Sequence, residues 1–247
     1  MTGRVLLIDA GNTRLKWAVV EGTRWLDRGA VAMDDIPALV ADWSKWQTLA
    51  ACYAVNVAGS ACTAAVERGL AAIAVRPLWV QASARACGVT NAYHPPQSLG
   101  ADRWAALIGA RQHSREDCLV VSAGTALTVD ALTRNGQFIG GMIVPGLRLM
   151  RQALANGTAG VGEQCGNVVD FPLATQDAVQ TGIISALAGA IEHMAARFAR
   201  QTGAAPCCLV SGGDAEMLRP YLSLKTALTP GLVLEGLYRI AQENETQ

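Results

Sequence analysis

Leu6-Leu7-Ile8-Asp9-Ala10-Gly11 and Leu119-Val120-Val121-Ser122-Ala123-Gly124 decide the fold, one in each half of a 247-residue chain. Each is a short apolar run of strand type that ends in a polar residue and an Ala-Gly turn. In each, a Thr (Thr13, Thr125) comes before the next apolar run. Outward from the first, Gly11-Asn12 reads as a turn, Leu15–Val20 as a second strand, Glu21-Gly22 as a turn and Trp25–Val31 as a third strand. Outward from the second, Leu127–Leu132 and Phe138–Val144 are strands. Asn135-Gly136 between them predicts a tight hairpin with positive φ at both residues. Two β-meanders of one design read as an internal duplication.

The remaining segments are helical or strand-like by spacing. Helices are expected near Ile36–Trp46 and Ser60–Ala74, with strands at Leu49–Val57 and Leu78–Val80. Pro145 suits the first turn of a helix reaching about Ala155, which Asn156-Gly157 would end. Thr175–Arg200 carries Ala178, Ile183, Leu187 and Ile191 at helical spacing, on an Ala/Gly-rich stripe that lets another element approach closely. Pro206–Val210 reads as a strand and Gly231–Ala241 as a final helix. The prediction is an α/β protein of two lobes, each a mixed sheet flanked by helices, with a cleft between them. The lobes span residues 1–116 and 117–247, with the last helix able to pack back on the first lobe.

Composition narrows the function. Apolar residues make up 51% and charged residues 16%, enough to bury a real core and too apolar for extended disorder. Net charge is zero and no Lys/Arg run occurs, so the footprint of a nucleic-acid binder is missing. No apolar run reaches the length of a membrane span or an export signal, so a cytoplasmic location is expected. Seven cysteines, with no C-x-x-C pair, read as reduced thiols rather than a disulfide frame or zinc site. His94, His113 and His193 lie far apart in sequence.

Three places could carry chemistry. Asp9-Ala10-Gly11-Asn12-Thr13 sets a carboxylate at a strand end beside a turn whose N–H groups can hold phosphate, with Lys16 adding positive charge. A plain hairpin with an Asp turn residue would look the same. Ala123-Gly124-Thr125 is its counterpart, and two such turns can clamp a polyphosphate. No Walker-type P-loop occurs. Gly100-Ala101-Asp102-Arg103 follows the rigid Tyr93-His94-Pro95-Pro96 segment and precedes a helix over Trp104–Arg111. Asp102 reads either as that helix's N-cap or as a base beside Arg103, whose guanidinium suits a carboxylate. Ser211-Gly212-Gly213-Asp214, after a buried strand, lets a flat ligand lie on backbone.

Taken in order, these motifs resemble the type III pantothenate kinase family, a branch of the actin/Hsp70/sugar-kinase-like ATPase superfamily with ribonuclease H-like lobes. Leu6–Thr13 is similar to the family's D-x-G-N-[ST] motif and Leu99–Arg103 to its G-x-D-R motif. Val120–Asp130 is similar to D-x-G-T-A-x-T-x-D. Gly140–Gly146, the Thr175…Ala178…Gly182 helix opening and Ser211-Gly212-Gly213 also fit.

The resemblance implies transfer of phosphate from ATP to pantothenate, the first step of coenzyme A biosynthesis. Another actin-like small-molecule kinase, or a non-enzymatic accessory relative, is the alternative. By the same carry-over Asp102 is the catalytic base. Tyr93, Gly100, Ala101, Arg103 and Thr175 contact pantothenate. Asp9, Gly11, Asn12, Thr13, Lys16, Gly124, Thr125, Gly212 and Gly213 bind ATP. Asp9 organises Mg²⁺, through water. The family is a homodimer. It has Asp where this chain has Ser122, a position tied to a monovalent cation. A neutral hydroxyl there should hold K⁺ or NH₄⁺ less well.

Overall fold

The structure, a computed structural model, describes residues 3–43, 48–162 and 164–245. It divides into two compact units, one of Met1–His113 with Leu232–Gln247, the other of Ser114–Gly231.

In the first unit the predicted meander forms β1 (Arg4–Ala10), β2 (Arg14–Glu21) and β3 (Arg24–Ala32). Then come α1 (Ile36–Asp42), β4 (Leu49–Asn56), α2 (Ser60–Ala71), β5 (Pro77–Trp79), the short β6 (Arg85–Ala86) and β7 (Val89–Asn91), and α3 (Ala101–His113). The last residues of the expected Ile36–Trp46 helix, 44–46, lie outside the described residues. Strand order is β3-β2-β1-β4-β5. The meander is antiparallel, and β4 and β5 continue parallel to β1. Leu6, Ile8, Val19, Ala54, Val66 and Leu70 build the core under α2. Each such fully buried Leu, Ile or Val side chain stabilises the fold by about 1.5–3 kcal/mol. The expected Ser60–Ala74 helix stops at Ala71, where Ala72, Ile73 and Ala74 bond back three residues and Ala74 turns left-handed (φ 57°).

In the second unit β8 (Cys118–Ala123), β9 (Ala126–Leu132) and β10 (Gln137–Pro145) repeat the meander. Then follow α4 (Leu147–Gly157), α5 (Thr175–Thr202), β11 (Cys207–Ser211), α6 (Ala215–Leu218) and β12 (Thr226–Leu228). Its strands run β10-β9-β8-β11-β12, antiparallel in the meander and parallel from β8 outward. Order and direction match the first unit strand for strand, which carries the duplication beyond the short sequence match. Ile183, Ile184, Leu187, Ile191 and Phe198 of α5 pack on Leu119, Val121, Val129 and Val210. The predicted stripe is split: Ile183, Leu187 and Ile191 are buried, but Ala178, Gly182 and Ala186 are exposed.

Two turn assignments need correction. Of Asn135-Gly136 only Gly136 has positive φ (79°), because the loop is a turn closed by Gly136 N–H to Thr133 O (2.8 Å). A three-residue loop needs one left-handed residue, whereas the expected two-residue loop needs two. Pro145 is the last residue of β10, not a helix residue. Having no N–H, it is tolerated at a strand end as readily as in a helix's first turn.

The last helix, α7 (Leu232–Glu245), belongs to the first unit and packs on α3. Two glycines make the contact. A Cβ on Gly109 would sit 2.1 Å from Leu232 O, and one on Gly236 1.8 Å from Ala105 O.

Candidate active site

In the first unit the candidate residues gather at the end of β1 and the start of α3. Asp9 is 6% exposed, an uncommon place for a carboxylate. Strand register sets it opposite Lys16, whose Nζ lies 3.6 Å from Asp9 Oδ2. Burial pushes the Asp9 carboxyl above the usual range. Lys16 opposes that rise, and the nearby Asp102 carboxylate adds to it. Asp9 and Asp102 are therefore close enough to repel each other, and a cation would relieve both. Gly11 closes the following turn with its N–H on Arg14 O (3.2 Å), leaving Asn12 and Thr13 exposed at the tip.

Asp102 is not the N-cap. α3 starts at Ala101, and Gly100 O takes the Trp104 N–H (3.0 Å). Asp102 stands inside the first turn, half-buried, at the end of the helix where partial positive charge favours a carboxylate. Its Oδ1 accepts the Arg103 N–H (2.8 Å). Gly100 makes room for it, because a Cβ there would come within 2.7 Å of that same oxygen.

Arg103 is buried at 6% exposure. Its Nη1 donates to Tyr93 Oη (3.2 Å), and its guanidinium lies over the Tyr93 ring, 5.6 Å from the centroid. This stack fixes the plane of the guanidinium fork.

Asn91 is a brace that sequence reasoning missed. Its Oδ1 accepts the Tyr93 N–H (3.0 Å), and its Nδ2 donates to Pro96 O (3.0 Å), across the cis His94–Pro95 bond. The signal available was an Asn two residues before a Tyr-His-Pro-Pro loop, a frequent turn-bracing pattern.

In the second unit the Ala123-Gly124-Thr125 turn is held between two glycines. Gly146 donates to Thr125 O (2.9 Å), and a Cβ on it would lie 2.0 Å from Gly124 O. Gly212, at φ 107°, lies so close that a Cβ would be 2.0 Å from Ala123 O. Asp214 donates its own N–H to that carbonyl (3.1 Å). The three Gly-bearing segments thus stack backbone on backbone, leaving the turn no freedom to shift. The weight of Gly146 was missed in the sequence, where Pro145-Gly146 reads as an ordinary helix start. Burial raises the Asp214 carboxyl, against the pull of Arg151.

Ser122 lies in register with Thr128 and Ser211 on the flanking strands, a row of neutral hydroxyls. Asp130, within β9, is a deeply buried carboxylate that the motif match included but to which it gave no role. Thr175 opens α5 and lines an apolar groove of about 570 Å³ with Pro145, Met150, Leu154, Ala178 and Gly182. The second unit holds Thr175, Gly124, Thr125, Gly212 and Gly213; the first holds Asp9, Gly11, Asn12, Thr13, Lys16, Tyr93, Gly100, Ala101, Asp102 and Arg103. Among the described residues no three His, Cys, Asp or Glu side chains cluster as a metal cage. Nor is any helix long and apolar enough to cross a membrane.

The family model for type III pantothenate kinase matches residues 5–197. A type III pantothenate kinase from Thiobacillus denitrificans is 43% identical over 242 residues, covering 98% of both chains. A crystal structure from Campylobacter jejuni, described as a Baf-family transcriptional activator, superposes with a TM-score of 0.64 at 20% identity, covering 98% of this chain and 100% of that one. A glucokinase from an Antarctic psychrotroph superposes at 0.51 and 10% identity, covering 98% and 100%. These structures share the two-lobed α/β fold of actin-like ATPases and sugar kinases. With the D-A-G-N-T, G-A-D-R and A-G-T-A segments all inside the matched region, the chain belongs to the type III pantothenate kinase family.

Proposed function

We propose that this protein transfers the γ-phosphoryl group of ATP to the 4′-hydroxyl of pantothenate, the first step of coenzyme A biosynthesis. The observation that carries the reading is the Asp102-Arg103 pair. One residue offers a carboxylate, kept clear by Gly100. The next offers a guanidinium, oriented by Tyr93. A base beside an anion receptor suits an acidic alcohol, and pantothenate is one.

The Asp102 carboxylate accepts the hydroxyl proton as the substrate oxygen bonds to the γ-phosphorus. The bond from that phosphorus to the bridging oxygen breaks, and ADP leaves. Such a transition state is loose and highly charged, so alignment and charge neutralisation supply most of the catalysis. Arg103 aligns the acceptor through its carboxylate, with Tyr93 fixing Arg103, and Thr175 adds a hydroxyl toward pantothenate. The turns at Gly11–Thr13 and Gly124–Thr125, with Lys16, hold the phosphates. Gly212 and Gly213 leave backbone open for the nucleoside.

Asp9 fits a role in holding Mg²⁺ through water. It is buried, its carboxyl is raised by burial and by Asp102, and among the described residues no group of three metal-ligating side chains surrounds it. Mg²⁺ usually keeps several waters and takes its other ligands from substrate phosphates. When bound, it neutralises phosphate charge. Ser122 offers no charge to a monovalent cation, and we assign this chain weak or no dependence on K⁺ or NH₄⁺.

We assign a homodimer, supported by the exposed apolar surface of the second unit. Phe171 and Leu173 are 89% and 102% exposed, and the apolar groove at α4 and α5 is open beside the small residues of α5. All seven cysteines are free, which suits the reducing cytoplasm.

The test is ADP release with pantothenate, hexoses or acetate as acceptor, with and without K⁺. Turnover with pantothenate alone is expected. Turnover with a hexose instead would point to another small-molecule kinase, and none with any acceptor would point to an accessory protein.

A further inference from the structure

The phosphoryl transfer leaves every thiol unused, and two of them stand side by side. Cys118 opens β8 and Cys207 opens β11, parallel neighbours whose register sets these residues opposite each other. Leu119, Val121, Cys208 and Val210 point into the core of the second unit, so alternation puts Cys118 and Cys207 together on the other face. There the two side chains face each other as register partners on adjacent parallel strands. The Ser114 hydroxyl lies 3.7 Å from the Cys207 sulfur. Cys118 is fully buried, whereas Cys207 is partly open to solvent.

We propose that Cys207 and Cys118 are an oxidant-responsive dithiol, in which Cys207 reacts with a hydroperoxide and Cys118 resolves the product as a cross-strand disulfide. Adjacent strands lie about 4.8 Å apart, inside the Cα separation of about 4.4–6.8 Å that a disulfide spans. Both residues are the first of their strands.

The chemistry balances with one peroxide. The Cys207 thiolate attacks a peroxide oxygen, an S–O bond forms, the O–O bond breaks, and the leaving hydroxide takes a proton to become water. The Cys118 sulfur then attacks the sulfenic sulfur of Cys207. The S–S bond forms, the S–O bond breaks, and a second water leaves with the Cys118 proton. Two thiols lose two electrons and the peroxide gains them.

The surroundings favour the thiolate at Cys207 and oppose it at its neighbour. The hydrogen bond from Cys118 brings Cys207 down to about 6. Ser114 and Lys225 help, while burial and Glu116 oppose. Cys208, on the core side, is pushed up to about 12 by burial. A low value alone gives little speed, because nucleophilicity falls with basicity. What sets Cys207 apart is a second thiol on the facing residue of the neighbouring strand.

The experiment treats the wild-type chain with one equivalent of hydrogen peroxide, blocks remaining thiols and maps the peptides. A loss of two hydrogens, a linked Cys118–Cys207 peptide and recovery with dithiothreitol are expected. In C118S, dimedone should instead label Cys207. Carboxamidomethylation is then followed against free cysteine. Weighing thiolate fraction against nucleophilicity, the Cys207-to-cysteine rate ratio should fall about 100-fold from pH 6 to pH 9, and partial burial of Cys207 cancels from that change. Oxidation confined to the exposed Cys165, a disulfide with any other partner, or a ratio that stays constant with pH would each overturn the proposal.

Discussion

Gly146→Ala adds one methyl group where the second unit has no space for it. Its carbon would stand 2.0 Å from Gly124 O and 2.7 Å from Thr125 O. Even a close carbon–oxygen contact needs about 3.3 Å, so the turn or the start of α4 must retreat by roughly 1 Å or more. Gly146 sits at φ −74°, which alanine adopts freely, so the whole cost is steric. Overpacking of this kind costs about 1–3 kcal/mol. For a chain of this size each kcal/mol lowers Tm by about 2–4 °C. Displacing a substrate-holding turn by about 1 Å costs about 10²-fold in rate, read as kcat/KM for ATP in a coupled ADP-release assay. Gly189→Ala is the matched control. It lies on α5 with nothing within 4 Å of a new Cβ, and should gain about 0.5–1 kcal/mol with activity unchanged. If Gly146→Ala kept both wild-type Tm and wild-type kcat/KM, the turn would not depend on that backbone stack, and the reasoning would fail.

Asp102→Asn should lower kcat by about 10²–10⁴-fold with little change in KM for pantothenate; near wild-type turnover would remove it as the base. Arg103→Ala should raise KM for pantothenate by about 10–100-fold, the worth of a hydrogen bond to a charged group, and an unaltered KM would argue against carboxylate binding there. Asp9→Asn should raise Tm at pH 7 while lowering turnover. Burial raises the folded-state value of Asp9, so the fold binds that proton more tightly than the unfolded chain does. Ionisation thus weakens the fold as pH climbs from the ordinary carboxylate range through the raised value, and Asn removes that cost. A lower Tm at pH 7 would contradict this sign. Ser122→Asp should make activity respond to added K⁺ where the wild type is flat; a wild-type enzyme already stimulated by K⁺ would show that the hydroxyls at 122, 128 and 211 suffice.

Much of this was legible because strands and turns announce themselves locally. Val5–Asp9 and Leu119–Val121 are apolar runs with turn residues at their ends, and both became central strands of their sheets. α5 came out within two residues of its predicted end, since five turns of spacing outweigh any local signal. What stayed hidden depends on partners distant in sequence. Asp102 has the residue type of an N-cap, but the Gly100 carbonyl takes the Trp104 N–H and moves the helix start two residues earlier. Pro145 is compatible with a helix's first turn and with a strand end, and only pairing with Ala126 decides. The importance of Gly146 and Gly212 arises from contacts with residues 123–125, which no spacing within either segment encodes.

The return of α7 to the first unit has a consequence for synthesis. α3 carries Asp102 at its start and rests along its length on a helix that the ribosome makes only after the whole second unit. Until residues 232–245 emerge, Ala105 and Gly109 face water where a neighbouring backbone belongs. The nascent chain thus holds Asp102 on an unbuttressed helix until residues 232–245 are made.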